Sequence, residues 1–180
     1  MEITKRKTMT GFRFLSFVLC EEEYCIDILK IKEIMGMTDI TEIPQTPGFI
    51  KGVINLRGQI IPIIDLRIKF DLPFQEYSDR TCIIVVEINY QDDITLMGIV
   101  VDKIQEVINL PEDKISNVPY INAKIKSEYI EGIAENDESI IIILDITKVL
   151  TEDEFVLLSK IDEKINKKQI KNPKNKEGGK

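Results

Sequence analysis

Apolar residues occur in short runs, none longer than eight residues, from Phe12 to about residue 150. The runs are Phe12–Leu19, Tyr24–Ile28, Ile31–Met35, Lys51–Leu56, Gln59–Ile64, Thr81–Ile88, Ile94–Val101, Ile104–Leu110, Tyr129–Ala134 and Ser139–Asp145. Gly, Pro, Asn and Asp punctuate them. Runs of this length between such residues predict β-strands, and many short strands with frequent turns predict barrels or sandwiches. Some runs are apolar at successive positions, as in Ile60-Ile61-Pro62-Ile63-Ile64. Strands of that kind bury both faces, as they would where two small barrels pack together. One hairpin is well defined: Val53–Leu56 and Gln59–Ile61 meet at Arg57-Gly58, with glycine supplying a positive φ and Arg57 projecting from the turn.

The end of the chain has a different period. Thr151-Glu152-Asp153-Glu154 is a capping-box pattern. Leu157, Leu158, Ile161 and Ile165 follow at helical spacing. An amphipathic helix is predicted over 151–166, docked on the second barrel, with a disordered basic tail over 167–180. Residues 1–11 read as a flexible leader.

The sequence also repeats. Lys30-Ile31-Lys32-Glu33-Ile34 returns as Lys103-Ile104-Gln105-Glu106-Val107. Gly52 precedes Asp65 by 13 residues, and Gly132 precedes Asp145 by the same 13. A hairpin-like opening, Phe12–Ile28 or Thr81–Val101, stands before each copy. Two copies of one β unit are expected within a single domain over 12–150, roughly 12–80 and 81–150, with strand exchange between them left open. Chance similarity among isoleucine-rich strands is the competing reading. The 34 isoleucines themselves favour strands.

Net charge is −7. Residues 167–180 hold six lysines and one glutamate, a net +5, so the rest of the chain carries −7 − 5 = −12. An acidic body repels phosphate, so nucleic-acid binding is not expected. No apolar stretch approaches a membrane span, and a soluble, cytoplasmic protein without direct membrane insertion is expected. Cys20, Cys25 and Cys82 have no CxxC spacing and no histidine exists, so no metal site and no disulfide is expected.

Without histidine there is no Ser-His-Asp or Cys-His arrangement. No GxGxxG or GxxxxGK[ST] occurs either. The chain is not expected to be an enzyme or to need a cofactor. What remains is surface. Arg57 on its glycine turn and Glu33 between Ile31 and Ile34 are candidate contacts, although composition alone favours reading Arg57 as a solvated turn residue and Glu33 as a solvent-facing strand position. A small-ligand-binding β-barrel sensor is the alternative class.

The stretch Phe49-Ile50-Lys51-Gly52-Val53-Ile54-Asn55-Leu56-Arg57-Gly58-Gln59-Ile60-Ile61-Pro62-Ile63-Ile64-Asp65-Leu66-Arg67 resembles the CheW family of bacterial chemotaxis coupling proteins. Glu22–Ile28 with Ile31, Glu33 and Ile34, then Gly98–Ile104, then Tyr129–Gly132, fit the same family, so the resemblance runs over about 12–158. It implies an all-β fold of two intertwined five-stranded SH3-like barrels. It implies an adaptor that binds a chemoreceptor's cytoplasmic tip between the barrels and docks on the CheW-like regulatory domain of the histidine kinase CheA. The adaptor would be a monomer when free, recruited to receptor arrays at the inner face of the membrane. Carried over by position, receptor contact falls to Ile31, Glu33, Arg57, Ile104 and Val107. Kinase contact falls near Pro119, Tyr120 and Ile121, where the family often has phenylalanine at about Ile121. Cys25 stands where glycine is common.

Overall fold

The computed structural model describes residues 11–117, 126–137 and 139–171. Among the described residues eleven strands form two sheets, with short helical turns between them and one long helix after them. In chain order the strands are β1 (Phe12–Leu19), β2 (Glu22–Asp27), β3 (Ile31–Gly36), β4 (Ile50–Leu56), β5 (Gln59–Asp65), β6 (Cys82–Tyr90), β7 (Asp93–Val101), β8 (Lys103–Leu110), β9 (Ile115–Ser116), β10 (Ile130–Asn136) and β11 (Ser139–Leu144). The helices are α1 (Leu66–Lys69) and α2 (Glu152–Lys171).

The six-stranded sheet has the order β8-β1-β2-β11-β10-β9, and the five-stranded sheet has the order β3-β6-β7-β5-β4. The two orders are one pattern. A hairpin, β1–β2 or β6–β7, sits beside a single strand, β8 or β3. On its other side the hairpin pairs in parallel with β11 or β5. The sheets therefore do not follow the order of the chain. Each sequence copy contributes its hairpin to the sheet built from the other copy's remaining strands. A division at residue 80 separates the copies, and the sheets cross that division. This reciprocal exchange is what intertwines the two barrels.

The repeated residues mark equivalent places. In both β4–β5 and β10–β11 the register slips at the glycine, between Ile50 and Gly52 and between Ile130 and Gly132. A short segment lies close to each glycine: the Thr41–Val53 bridge at Gly52, and β9 at Gly132. The amide of Asp65 donates to Phe49 O at 2.8 Å, and the amide of Asp145 donates to Tyr129 O at 2.9 Å. Both aspartates then cap the following turn, Asp65 accepting from the amides of Arg67 and Ile68, and Asp145 from that of Thr147.

Alternate side chains along the strands enter different cores. On β6, Ile83 and Val85 fill the interior of the five-stranded barrel while Ile84, Val86 and Ile88 face the other way. On β2, Cys25 enters the six-stranded barrel while Tyr24 and Ile26 face out of it. The outward-facing residues of both sheets meet in one central cluster, joined by Phe155, Leu158 and Ile161 of α2. This explains the uninterrupted apolar runs: both faces of these strands are buried. Each fully buried Ile or Leu there contributes roughly 1.5–3 kcal/mol.

The helix expected over 151–166 extends to Lys171. Its buried face does not stay on the β10–β11 half that precedes it. The Phe155 ring packs at a tilt against Tyr90 of β6, centroids 4.4 Å apart, and Lys69 of α1 reaches Glu154. The helix thus straps the five-stranded sheet to the end of the six-stranded one.

Candidate binding groove

β3 and β8 are the end strands of their sheets, and both are bulged at the repeated motif. In β3, Ile31 pairs with Val86 and Glu33 with Val85, so Lys32 is the extra residue. In β8, Ile104 pairs with Phe17 and Val107 with Leu15, so Gln105 and Glu106 stand opposite Ser16. The buried Ser16 hydroxyl satisfies the bulge: it donates to Glu106 O at 3.0 Å and accepts from the Glu106 amide at 3.2 Å. Bulges of this kind twist an edge strand and re-aim its side chains, which also discourages pairing with another edge.

The bulges leave apolar residues half out. Ile31 and Ile104 are partly buried against the same central cluster. Ile34 is 47% exposed and Val107 45% exposed, too much for residues of their size to be core. Beside Ile104 lies a shallow hollow of about 400 Å³ lined by Glu23, Lys103, Ile104, Gln105 and Glu106.

The β4–β5 turn supplies the charge. Arg57 and Gly58 both take positive φ, 53° and 85°, as a two-residue hairpin turn requires. Asn55 Oδ1 accepts from the Gly58 amide at 2.8 Å and holds the turn. Arg57 Nη2 donates to Glu33 Oε1 at 2.9 Å. Lys32 makes a second pair, with Glu87, at 2.9 Å. The fold thus brings Glu33 and Arg57 into contact and seats Ile31 and Ile104 on one shared core, while Val107 stands on the exposed side of β8. Pro119, Tyr120 and Ile121 lie outside the described residues.

Sequence reasoning missed a polar cluster built on the buried Asp65 and Arg67 beside α1. Tyr77 donates its hydroxyl to Asp65 Oδ2 at 2.5 Å, and burial together with that carboxylate pushes the phenol well above its ordinary range. Arg67, 5% exposed, pairs with Asp102 and with Gln75. Charged residues inside otherwise apolar runs, at Asp65, Arg67 and Asp102, were the available signal. A hollow of about 410 Å³ adjoins this cluster, with the exposed Phe74 on its wall. The size suits a small ligand, but Asp65, Tyr77 and the Arg67 terminal nitrogens already bond one another or Asp102 and Gln75. Among the described residues no group of three or more Cys, Asp or Glu is placed to hold a metal ion, and no helix is long and apolar enough to cross a membrane.

The comparisons with known proteins agree with this architecture. The sequence profile of the CheW-like domain matches residues 13–154. The chain is 41% identical over 151 residues to the chemotaxis protein CheW of Klebsiella aerogenes, covering 84% of this chain and 89% of that one. It is 33% identical over 144 residues to chemotaxis protein CheW of Bacillus subtilis, covering 80% and 90%. The crystal structure of the scaffolding protein TtCheW from Thermoanaerobacter tengcongensis superposes with a TM-score of 0.72 at 37% identity, over 80% of this chain and 90% of that one. Doubled and exchanged β units, the matched profile and these relatives lead to one conclusion: this chain belongs to the CheW family of chemotaxis scaffold proteins.

Proposed function

We propose that the chain is a non-catalytic adaptor that couples chemoreceptors to the histidine kinase CheA. The receptor's helical cytoplasmic tip lies along β3 and β8. Ile31, Ile104 and Val107 supply apolar area, and Arg57 with Glu33 sets register. Kinase docking falls to the segment around Pro119, Tyr120 and Ile121. The chain works in the cytoplasm as a monomer until it is recruited to receptor arrays. The observation that carries this reading is the pair of bulged end strands, each presenting half-exposed aliphatic residues at the same repeat position, with the Arg57–Glu33 pair on β3. A reversible adaptor of this kind needs micromolar contacts, about −8 kcal/mol each.

Titration calorimetry with a receptor-tip fragment and, separately, with the CheA regulatory domain tests it. Both are expected to bind, and binding of one leaves the other's site open. Ile104→Asp is expected to lose the receptor while circular dichroism stays β-rich. Simultaneous failure to bind receptor and kinase overturns the reading. Collapse of the Ile104→Asp spectrum reassigns Ile104 to the core.

A further inference from the structure

Asp102 is the single residue between β7 of the five-stranded sheet and β8 of the six-stranded sheet. A hairpin turn needs about two residues, so the chain passes from one sheet straight into the other. Asp102 belongs to neither strand and bonds to both sides. Its amide donates to Val18 O in β1 at 3.1 Å. Its Oδ2 accepts from the Cys20 amide, in the β1–β2 turn, at 2.9 Å. Its Oδ1 pairs with Arg67 Nη2, and Arg67 is carried by α1 at the end of β5. Arg67 is held in turn: Nη1 donates to Gln75 O at 2.6 Å and Nη2 to Gln75 Oε1 at 3.2 Å. Its side chain is 7% exposed and that of Asp102 16%.

The central apolar cluster joins the sheets. Apolar burial rewards area, not direction. A guanidinium fork meeting a carboxylate is directional, and a pair this buried escapes most screening by salt. Ile104 and Val107 follow Asp102 by two and five positions on β8. Ile31 and Glu33 lie on β3 in the sheet that carries Arg67.

We propose that the Arg67–Asp102 ion pair is a positioning element that fixes the angle between the two barrels, and through it the spacing of β3 and β8. The pair touches no partner. Its work is to hold β3 and β8 at one separation. That this separation matters to a receptor rests on the adaptor reading above, but the geometry does not.

The test uses the full chain with spin labels on ketone-bearing residues at Lys32 and Gln105, both exposed, so that the three cysteines stay in place. Double electron–electron resonance reads the β3–β8 distance. The wild type is expected to give one narrow distribution. Asp102→Ala leaves the Arg67 charge buried and unpaired, and is expected to broaden the distribution by about twofold or more, or to shift its maximum. Asp102→Asn keeps an acceptor for the Cys20 amide and removes the charge; it is expected to broaden the distribution less, and it decides the matter if Asp102→Ala does not fold. A wild-type distribution in folded Asp102→Ala, or in Asp102→Asn where only that variant folds, overturns the proposal. Receptor-tip affinity measured on the same variants without spin labels separates the two claims. A changed distance with unchanged affinity sinks the groove as the receptor site and leaves the positioning element standing.

Discussion

Arg57 Nη2 lies 2.9 Å from Glu33 Oε1 and joins the β4–β5 turn to the end strand β3, 24 positions earlier in the chain. Three-quarters of the Arg57 side chain is exposed, against 28% for Glu33. A pair so open to water adds about 0–1 kcal/mol to folding. On the adaptor reading proposed above, its value lies in presenting both charges at a fixed place beside Ile31. Arg57→Glu is therefore expected to change unfolding free energy by no more than about 1 kcal/mol. Receptor-tip binding is expected to weaken by about 2–5 kcal/mol, because the partner's charge is left buried without a mate. The swapped pair Glu33→Arg/Arg57→Glu restores the internal contact and should not restore binding. Calorimetry against the receptor tip reads this, and affinity within about twofold of wild type removes Arg57 from the site.

The two repeat glycines are predicted to differ. A Cβ on Gly52 would stand 2.1 Å from Thr41 O, and the residue has φ +141°. A Cβ on Gly132 would stand 3.0 Å from Ser116 O, and no positive φ is involved. Gly52→Ala combines backbone strain, about 1–3 kcal/mol, with a clash against backbone that cannot turn aside. Gly132→Ala is expected to cost about 1–3 kcal/mol from crowding alone. Chemical denaturation of both variants checks the order. Equal losses would mean that the Thr41 segment yields freely.

Much of this was legible before any coordinates. Short unbroken apolar runs located the strands because both faces of many of them are buried, and the Gly–Asp spacing marked truly equivalent places, as the matched amide bonds of Asp65 and Asp145 confirm. The exchange of hairpins was harder to read. The two copies are so alike that either hairpin satisfies the apolar pattern of either barrel, and pattern alone does not choose. The clue was the connector: Val101-Asp102-Lys103 contains too few residues to turn back on β7. The end of α2 was lost because apolar spacing lapses after Ile165. Polar residues buried by long-range partners, Arg67 with Asp102 and Lys69 with Glu154, leave no periodic trace at all.

Glu131 carries a pH prediction. Desolvation raises its pKa, the carboxylates of Asp145 and Asp27 raise it further, and Lys148 and Lys30 oppose them. A carboxyl whose folded pKa exceeds its unfolded value favours the folded state below the unfolded pKa, and that advantage is lost as pH rises through the folded pKa. At neutral pH the ionised Glu131 therefore works against folding. Glu131→Gln is expected to raise Tm at neutral pH, with the gain vanishing as the pH falls to about 4, near the ordinary glutamate value. Thermal melts across that range decide it, and a gain that grows toward acid would show that the sign is wrong.

Lys69 and Glu154 tie the terminal helix to the first half of the chain. Lys69 Nζ reaches both Glu154 oxygens at 2.6 Å and lies 4.5 Å from the centre of the Phe49 ring. Its side chain is 6% exposed. Glu154 also closes the capping box: its Oε2 accepts from the Thr151 amide at 2.9 Å, and its own amide donates to Thr151 Oγ1 at 3.2 Å. The two roles separate by substitution. Thr151→Ala removes only the hydroxyl cap and is expected to cost about 1 kcal/mol. Glu154→Ala also strands a buried ammonium, and is expected to cost about 3–5 kcal/mol. The double variant Lys69→Met/Glu154→Leu removes both charges together and should recover most of that loss, since a buried pair stabilises little over apolar residues of similar volume. Guanidinium melts followed by far-ultraviolet circular dichroism measure all three. If Glu154→Ala loses no more than Thr151→Ala, the ammonium finds solvent when its partner is removed, and α2 is held by Phe155, Leu158 and Ile161 alone.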